Sequence, residues 1–411
     1  MRSKNSSFIG ESIASKKKLF RIGQIAACPF PADHGTPGAI REIVNVLAEW
    51  GHKIHIVTYP IKKNLYLHPA IRVHRIGKER EAPIRVGPFL TRFFYDAIMP
   101  LTIVRVVQKY NLQIIHGHNY ESLAACIAAK KFCNRPLIYN AINLMEEELP
   151  TYNFLGSRRL SRILGKFLDY YLPKKADFII ANTERLKKFF LARGIPENKI
   201  EVVPTGIDVE FFRSGDDKKT RKRFSLENKK VLLYTGTFDA FQGLELLLES
   251  FVYVAQEIPS AVLLLVGGGT VTPEQEAFYR KKSRRLNIIE RVIFAKASLK
   301  EVPDYLAVAD VAVCPRPSSA GMPVKVLNYL AAKRPVVAFK NAAPFLKHGK
   351  EAWLVEKVSP QEFAQAMVKI LTEESKAQEL AEEGFKTVKS KFSLNIVCQK
   401  LVKIYASILN Q

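Results

Sequence analysis

The chain has 411 residues, 47% of them hydrophobic and 25% charged, with a formal net charge of +24. That length exceeds one compact core, so two domains are expected, and the balance of apolar and charged residues is that of a soluble globular protein. No apolar run approaches the ~20 residues of a membrane-spanning helix, and five cysteines (Cys28, Cys126, Cys133, Cys314, Cys398) without a Cys-x-x-Cys pair argue for reduced thiols in a cytoplasm, against a disulfide framework or a zinc site.

The positive charge is uneven. Residues 1–203 carry 32 Lys and Arg against 16 Asp and Glu, a net of +16, and residues 204–411 carry 31 against 23, a net of +8. Nucleic acid, an anionic membrane surface or an acidic substrate each accounts for such an excess.

In chain order, residues 1–18 are basic and polar without the apolar core of a signal peptide, and read as a disordered tail. Residues 19–28 predict a buried strand. The loop Gly35-Thr36-Pro37-Gly38 leads into an amphipathic helix with Ile40, Val44, Leu47 and Ala48 on one face, and a second strand follows at Lys53–Tyr59. Strand, glycine loop, helix and strand form the opening unit of a doubly wound parallel sheet. Neither Gly-x-Gly-x-x-Gly nor Gly-Lys-Ser/Thr occurs here, which weakens dinucleotide and P-loop readings. The loop either admits a ligand phosphate at the helix start or only makes the turn.

The unit repeats, with strands predicted at 112–116, 136–140, 177–181 and 199–203 and an alanine-rich helix at 123–130. The first of these ends in His116-Gly117-His118-Asn119. Ligands bind at strand C-terminal ends in such sheets, so His118 is a catalytic candidate; the competing reading is a hydrogen-bonded structural histidine. Glu146–Glu148, beyond the 136–140 strand, are candidates for ligand contact or simply a solvated helix start. Two stretches are basic and amphipathic. Residues 85–107 mix Phe89, Phe93, Phe94 and Tyr95 with Arg85, Arg92 and Arg105. In 158–172, Leu160, Ile163, Leu164, Phe167, Leu168 and Tyr171 form a stripe, with Arg158, Arg159, Arg162 and Lys166 mainly on the other side. Both patterns suit a membrane interface or a helix covering a sheet.

Pro204-Thr205-Gly206-Ile207-Asp208 breaks the pattern and reads as a hinge, after which the strand–loop–helix unit restarts at 231–235 with Gly236-Thr237-Phe238 and a helix beyond Gln242-Gly243. Further strands are expected at 261–269, 292–295, 311–314 and 335–339, and helices at about 360–390 and 393–409. The turn Gly321-Met322-Pro323 opens a helix at Val324, where backbone N–H groups and the helix dipole favour an anion. Lys325 in that first turn suits a diphosphate partner. Two Rossmann-like domains are therefore expected at 19–204 and 205–390, with a last helix at 391–411 packing back toward the first.

The order of these motifs resembles the retaining glycosyltransferases of family four, the GT-B fold of two doubly wound α/β domains facing across a cleft. The resemblance runs over about residues 20–400. It takes in the 35–38 loop, His118, ANTERLKKFF (181–190), VVPTGIDVEFF (202–212), TGTF…QGLELLLESF (235–251), LLLVGGG (263–269), EVPDYLAVADVAVCPR (301–316) and 318–338. It implies transfer of a sugar from a UDP- or GDP-sugar with retention, the donor in the second domain and a glycan or lipid-linked acceptor in the first. No cofactor is implied beyond that donor, and no Asp-x-Asp marks a metal-bridged diphosphate. The family's Glu-x7-Glu motif falls on Ala320 and Asn328, and its diphosphate-clamping Arg and Lys fall on Thr237 and Gln242, so this is a variant subgroup.

The expected donor site is Arg316, Gly321, Met322, Pro323, Val324, Lys325 and Asn328, with Gly236, Thr237, Gln242 and Gly243 shaping it. Gly35, Thr36, Pro37 and Gly38 would admit the diphosphate or sugar from the facing domain, and His118 would contact the transferred sugar. An anionic membrane surface is an expected partner, at the inner face of the cytoplasmic membrane, and nucleic acid is not. A polyanion-binding protein, a sugar-nucleotide epimerase and a catalytically impaired GT-B partner are the competing readings.

Overall fold

The computed structural model describes residues 18–32, 35–62, 64–81, 90–152, 156–269, 271–319 and 322–410. Most of the basic tail, residues 82–89 and Gly321 lie outside them. The first part of the chain contributes β1 (Arg21–Ala26), β2 (Lys53–Thr58), β3 (Ile61–Lys62), β4 (Arg72–Arg75), β5 (Arg80–Glu81), β6 (Ile114–His118), β7 (Leu137–Ala141), β8 (Phe178–Ala181) and β9 (Ile200–Val202). Seven of these form one parallel sheet in the order β4-β2-β1-β6-β7-β8-β9, and β3 pairs with β5. The second part contributes β10 (Lys230–Gly236), β11 (Ala261–Gly267), β12 (Val292–Lys296), β13 (Val311–Cys314), β14 (Val336–Phe339) and β15 (Trp353–Val355), a six-stranded parallel sheet in the order β12-β11-β10-β13-β14-β15. Central strands such as β11 are buried along their whole length, as parallel strands covered on both faces must be.

Each sheet is coated on both faces. On one face of the first, Ile22, Ile54, Ile114 and Ile138 pack with helix α1 (Gly35–Glu49) and the last helix, Leu394–Leu409. On the other, Ile25, Val57, Ile115 and Tyr139 pack with helices α2 (Leu90–Tyr110) and α3 (Asn119–Cys133). The chain crosses between the two bodies twice, side by side. The Ile207 N–H donates to the Phe392 carbonyl at 2.8 Å, and the Leu394 N–H donates to the Ile207 carbonyl at 3.0 Å. Gly206 permits this approach, since a Cβ there would lie 2.8 Å from Leu394 Cδ2.

Several elements differ from the sequence-based expectation. β6 runs two residues further than predicted, to His118, which is thus the last residue of the strand, at the carboxyl end where it was expected. Residues 35–38 are the first turn of α1, not a loop before it; Pro37 fits because N–H groups of the first turn have no intrahelical partner. The edge strands β4 and β15 were not anticipated. They are only four and three residues long, and β4, with the sequence RVHR, carries no apolar run. The 360–390 helix is broken at Glu373 into Pro360–Thr372 and Glu374–Thr387, followed by a π-helical turn at Val388–Phe392.

Helix α5 (Arg158–Tyr171), whose apolar stripe suited either a membrane interface or a sheet, lies against the short helix α4 (Met145–Glu148) and does not bury that stripe. Its small and polar line Ser161, Gly165 and Asp169 is buried, while Leu160, Ile163 and Phe167 are 54%, 57% and 55% exposed. Two features hold that orientation. A Cβ at Gly165 would lie 2.4 Å from the Met145 carbonyl oxygen. Asp169 accepts from the Met145 and Glu146 N–H groups at 3.0 and 2.9 Å and from the Tyr120 hydroxyl, capping α4. Gly165→Ala is therefore expected to cost about 3 kcal/mol of stability through overpacking. Ser161→Ala, which removes a buried hydroxyl without a hydrogen-bond partner, should be neutral or stabilising. Urea unfolding of the two variants checks both signs.

Candidate functional site

A cavity of about 210 Å³ opens between the two bodies, walled by strand ends of the first sheet, the start of α1, the last helix and residues Met322 and Val324 of the second body. Ligand sites in open α/β sheets lie at such carboxyl ends.

His118 lies in the wall and is almost fully buried. Its Nε2–H donates to Gln24 Oε1 at 2.6 Å, and Asn140 Nδ2 donates to its Nδ1 at 3.1 Å. Burial pulls its pKa down to about 3, so the ring is neutral. With both nitrogens occupied, His118 offers the cavity an oriented neutral ring, not a titrating proton. His116 stacks on it at 4.4 Å between centroids. The Tyr405 hydroxyl lies 2.8 Å from His116 Nδ1 and accepts from Gln24 Nε2 at 3.3 Å, so the last helix fixes both histidines.

His116 Nε2 and Asn140 Oδ1 are buried without hydrogen-bond partners in the cavity wall. Buried polar atoms left unpaired are costly, and a hydroxyl-rich ligand would satisfy both. Asn143, Asn182 and Thr205 add further polar groups, with Asn182 Nδ2 donating to Thr205 Oγ1 at 3.2 Å. Asn182 and Thr205 fall within the stretches 181–190 and 202–212 that carry the family resemblance, whereas no motif singles out Asn140 or Asn143. The signal available was a polar residue at each strand end, the rule that picked His118.

Gly35 and Thr36 border the cavity; Pro37 and Gly38 do not. Gly35 has φ +54 with open space around its Cβ position, so its need is conformational. Glu146 pairs with Arg193 at 3.5 Å and Glu147 with Arg185, while Glu148 accepts from Asn143 at 3.2 Å and is thereby tied to the cavity wall.

On the facing side the helix Val324–Ala331 begins after Pro323 with no side chain capping its N–H groups. In its first turn Lys325 Nζ donates to the Tyr234 hydroxyl at 2.8 Å and to Gln242 Oε1 at 2.9 Å, and lies 4.0 Å from the Tyr234 ring centroid. Gln242 Nε2 in turn donates to Thr237 Oγ1 at 3.2 Å. Gly236, at φ +140, leaves the room: a Cβ there would lie 2.8 Å from Lys325 Nζ. Gly243, at φ +78, lets its loop lie on the Pro315 carbonyl, 2.2 Å from where a Cβ would sit. Burial pulls the Lys325 ammonium down to about 8, partly opposed by Cys314 and reinforced by Arg316. One turn further on, Asn328 Oδ1 is buried without a partner. Arg316 donates from Nε to the Ser318 carbonyl at 2.8 Å and lies over the exposed Phe241 ring. The structure thus joins Thr237, Gln242, Lys325, Gly236 and Gly243 in one cluster. Among the described residues, no group of three or more His, Cys, Asp or Glu could hold a metal ion.

Two doubly wound α/β bodies with a cavity between facing strand ends and helix starts are the architecture of the GT-B glycosyltransferases. The chain belongs to glycosyltransferase family 4: residues 35–211 match the family described as Glycosyltransferase Family 4, and residues 229–373 match Glycosyl transferases group 1. Among curated proteins it is similar to N-acetyl-alpha-D-glucosaminyl L-malate synthase of Bacillus anthracis, 23% identical over 92% of this chain and 96% of that one. It is also similar to D-inositol 3-phosphate glycosyltransferase of Thermobispora bispora, 21% identical over 97% of each. Among solved structures, sucrose-phosphate synthase from Thermosynechococcus elongatus superposes with a TM-score of 0.79 at 19% identity, covering 95% of this chain and 99% of that one. Anabaena Alr3699/HepE in complex with UDP gives 0.72 at 16% identity, covering 94% and 100%.

Proposed function

We propose that this glycosyltransferase moves a sugar from a UDP- or GDP-sugar, with retention at the anomeric carbon, to a glycan or lipid-linked acceptor of cell-envelope polysaccharide, lipopolysaccharide or glycolipid assembly. The observation that carries the donor reading is the Lys325 ammonium, held between Tyr234 and Gln242 at an uncapped helix start. In the family pattern the clamping lysine falls at Gln242; here Lys325 delivers a cation to the Gln242 side chain from the neighbouring helix. Together with the N–H groups of that helix and Arg316, it meets the charge that develops on the leaving diphosphate. Asn328 Oδ1 accepts from a donor hydroxyl, and the cavity wall at His116, His118 and Asn140 receives the transferred sugar. The UDP complex of the Anabaena neighbour supports a nucleotide donor.

The reading also places the protein at the inner face of the cytoplasmic membrane, supported by the +16 first half. Among the described residues no helix is long and apolar enough to cross a membrane.

A thermal-shift panel of nucleoside diphosphates and their sugars tests the donor. Ligand at 100 Kd stabilises the folded state by about 2.7 kcal/mol, so one base is expected to raise Tm by several degrees while the others do not. A labelled donor then distinguishes transfer from epimerisation. No shift with any nucleotide, together with no turnover of any donor, would sink the reading.

A further inference from the structure

We infer that the outward face of α5 is the surface by which this protein docks on an anionic phospholipid bilayer. This deepens the membrane placement proposed above by naming the element that makes the contact. The stripe of Leu160, Ile163, Phe167, Tyr170 and Tyr171 recurs at helical spacing, and all five side chains are exposed. At 3.6 residues per turn the stripe lies roughly opposite the buried line of Ser161, Gly165 and Asp169. The two anchors of that line act independently. Gly165 lets the helix touch the Met145 backbone, and Asp169 caps α4. Rolling α5 to bury its apolar side would push a larger residue into the Met145 carbonyl and unpair Asp169. The apolar face is thus presented to the surroundings by construction.

Charge selects the occupant. Arg159, Arg162 and Lys166 run along one border of the stripe, and Arg158 lies at its start. All four are exposed, and among the described residues none forms an ion pair. Lys174, just past the helix, lies 3.5 Å over the Tyr170 ring. An apolar stripe with aromatic residues, bordered by unpaired cations, matches the acyl–headgroup boundary of a bilayer carrying anionic lipid. A protein partner would need an acidic rim around an apolar groove; a bilayer supplies both at once. On its other side α5 holds α4, whose Glu148 is tied through Asn143 to the cavity wall. One helix diameter, about 10 Å, therefore separates the lipid-facing stripe from the segment leading to the cleft. A lipid-linked acceptor would reach the cavity from that side.

The test is co-flotation of the full chain, without donor, with vesicles of phosphatidylcholine alone or mixed with about one-third phosphatidylglycerol. The wild type is expected to float with the anionic vesicles at low salt and not with the neutral ones. Ile163→Ser with Phe167→Ser should lower the bound fraction constant about tenfold or more, and neutralising Arg159, Arg162 and Lys166 to Gln should remove the dependence on phosphatidylglycerol. Phe167→Trp keeps the apolar character and gives a second readout, a blue shift of its emission on anionic vesicles. The inference is overturned if the wild type ignores anionic vesicles, or if Phe93→Ser with Phe94→Ser on α2 abolishes binding while the α5 variants keep it. It is also overturned if the wild type is a dimer that the Ile163/Phe167 variant dissociates without loss of vesicle binding. Because no donor is present, vesicle binding stands or falls apart from the transfer reaction.

Discussion

Replacing Lys325 with methionine is expected to lower kcat/KM for the proposed nucleotide-sugar donor by about 10²- to 10³-fold, the usual effect of removing one preorganised group from a developing charge. The variant should remain at least as stable as the parent. Burial holds the Lys325 ammonium at about 8, below its ordinary value of 10.5. Between those values the unfolded chain keeps a proton that the folded chain has released, so the stability contributed by this group rises with pH across that window and is lowest below it. At neutral pH methionine removes a buried charge and keeps most of the volume. Loss of donor binding with an unchanged or raised Tm therefore separates a binding role from a structural one. The same pKa predicts a pH limb: above about 8 the free protein loses the cation, and donor affinity should fall about tenfold per unit. In Lys325→Met that limb should be absent. Donor titrations from pH 7 to 9.5 on both proteins decide it, and a persistent limb would assign the titration to another group.

The two-domain α/β architecture was legible because parallel strands covered on both faces read as continuous apolar runs, as at 231–235 and 261–267. The edge strands β9 and β12 were legible too, whereas β4 and β15 were not: they are only four and three residues long, and β4 with its sequence RVHR carries no such run. The Lys325 cluster shows a different limit. The motif order pointed to Lys325, but its partners Tyr234 and Gln242 are 91 and 83 residues away in sequence, and only the packing of the Val324–Ala331 helix against the end of β10 brings them together. His118 was visible at its strand end, whereas the fixing of its ring by Gln24, and of Gln24 by Tyr405, depends on contacts 94 and 381 residues apart. For α5 the amphipathic pattern was plain and its direction was not. Periodicity gives the angle between two faces of a helix, while the choice of the inward one rested on a glycine and an aspartate whose backbone partners lie on another helix.

Ending the chain at Ser393 is expected to unfold the first body while sparing the second. The last helix buries Leu394, Val397, Leu401, Ile404, Tyr405 and Ile408 against α1 and the sheet face of Ile22, Ile114 and Ile138. Its aliphatic side chains, at about 1.5–3 kcal/mol each, amount to about 7–15 kcal/mol, the size of the whole stability of a typical domain at about 5–15 kcal/mol. Removing the helix also releases its own ordering entropy. That release does not rescue the remainder, because Val44, Leu47 and the strand residues beneath would stay ordered with their apolar face in water. The Tyr405 hydroxyl would be lost from His116 and Gln24 as well, leaving buried polar groups unpaired beneath the cavity. The second body keeps both of its own core clusters apart from small contributions near the crossings, since Phe392 belongs to its core and Leu394 does not. Limited proteolysis with mass spectrometry should therefore show rapid cleavage throughout about residues 20–200 and a protected fragment covering 229–373. Equal protection of the two halves would mean that α1 and the sheet close their own core, and that the C-terminal helix serves only to align the two walls of the cleft.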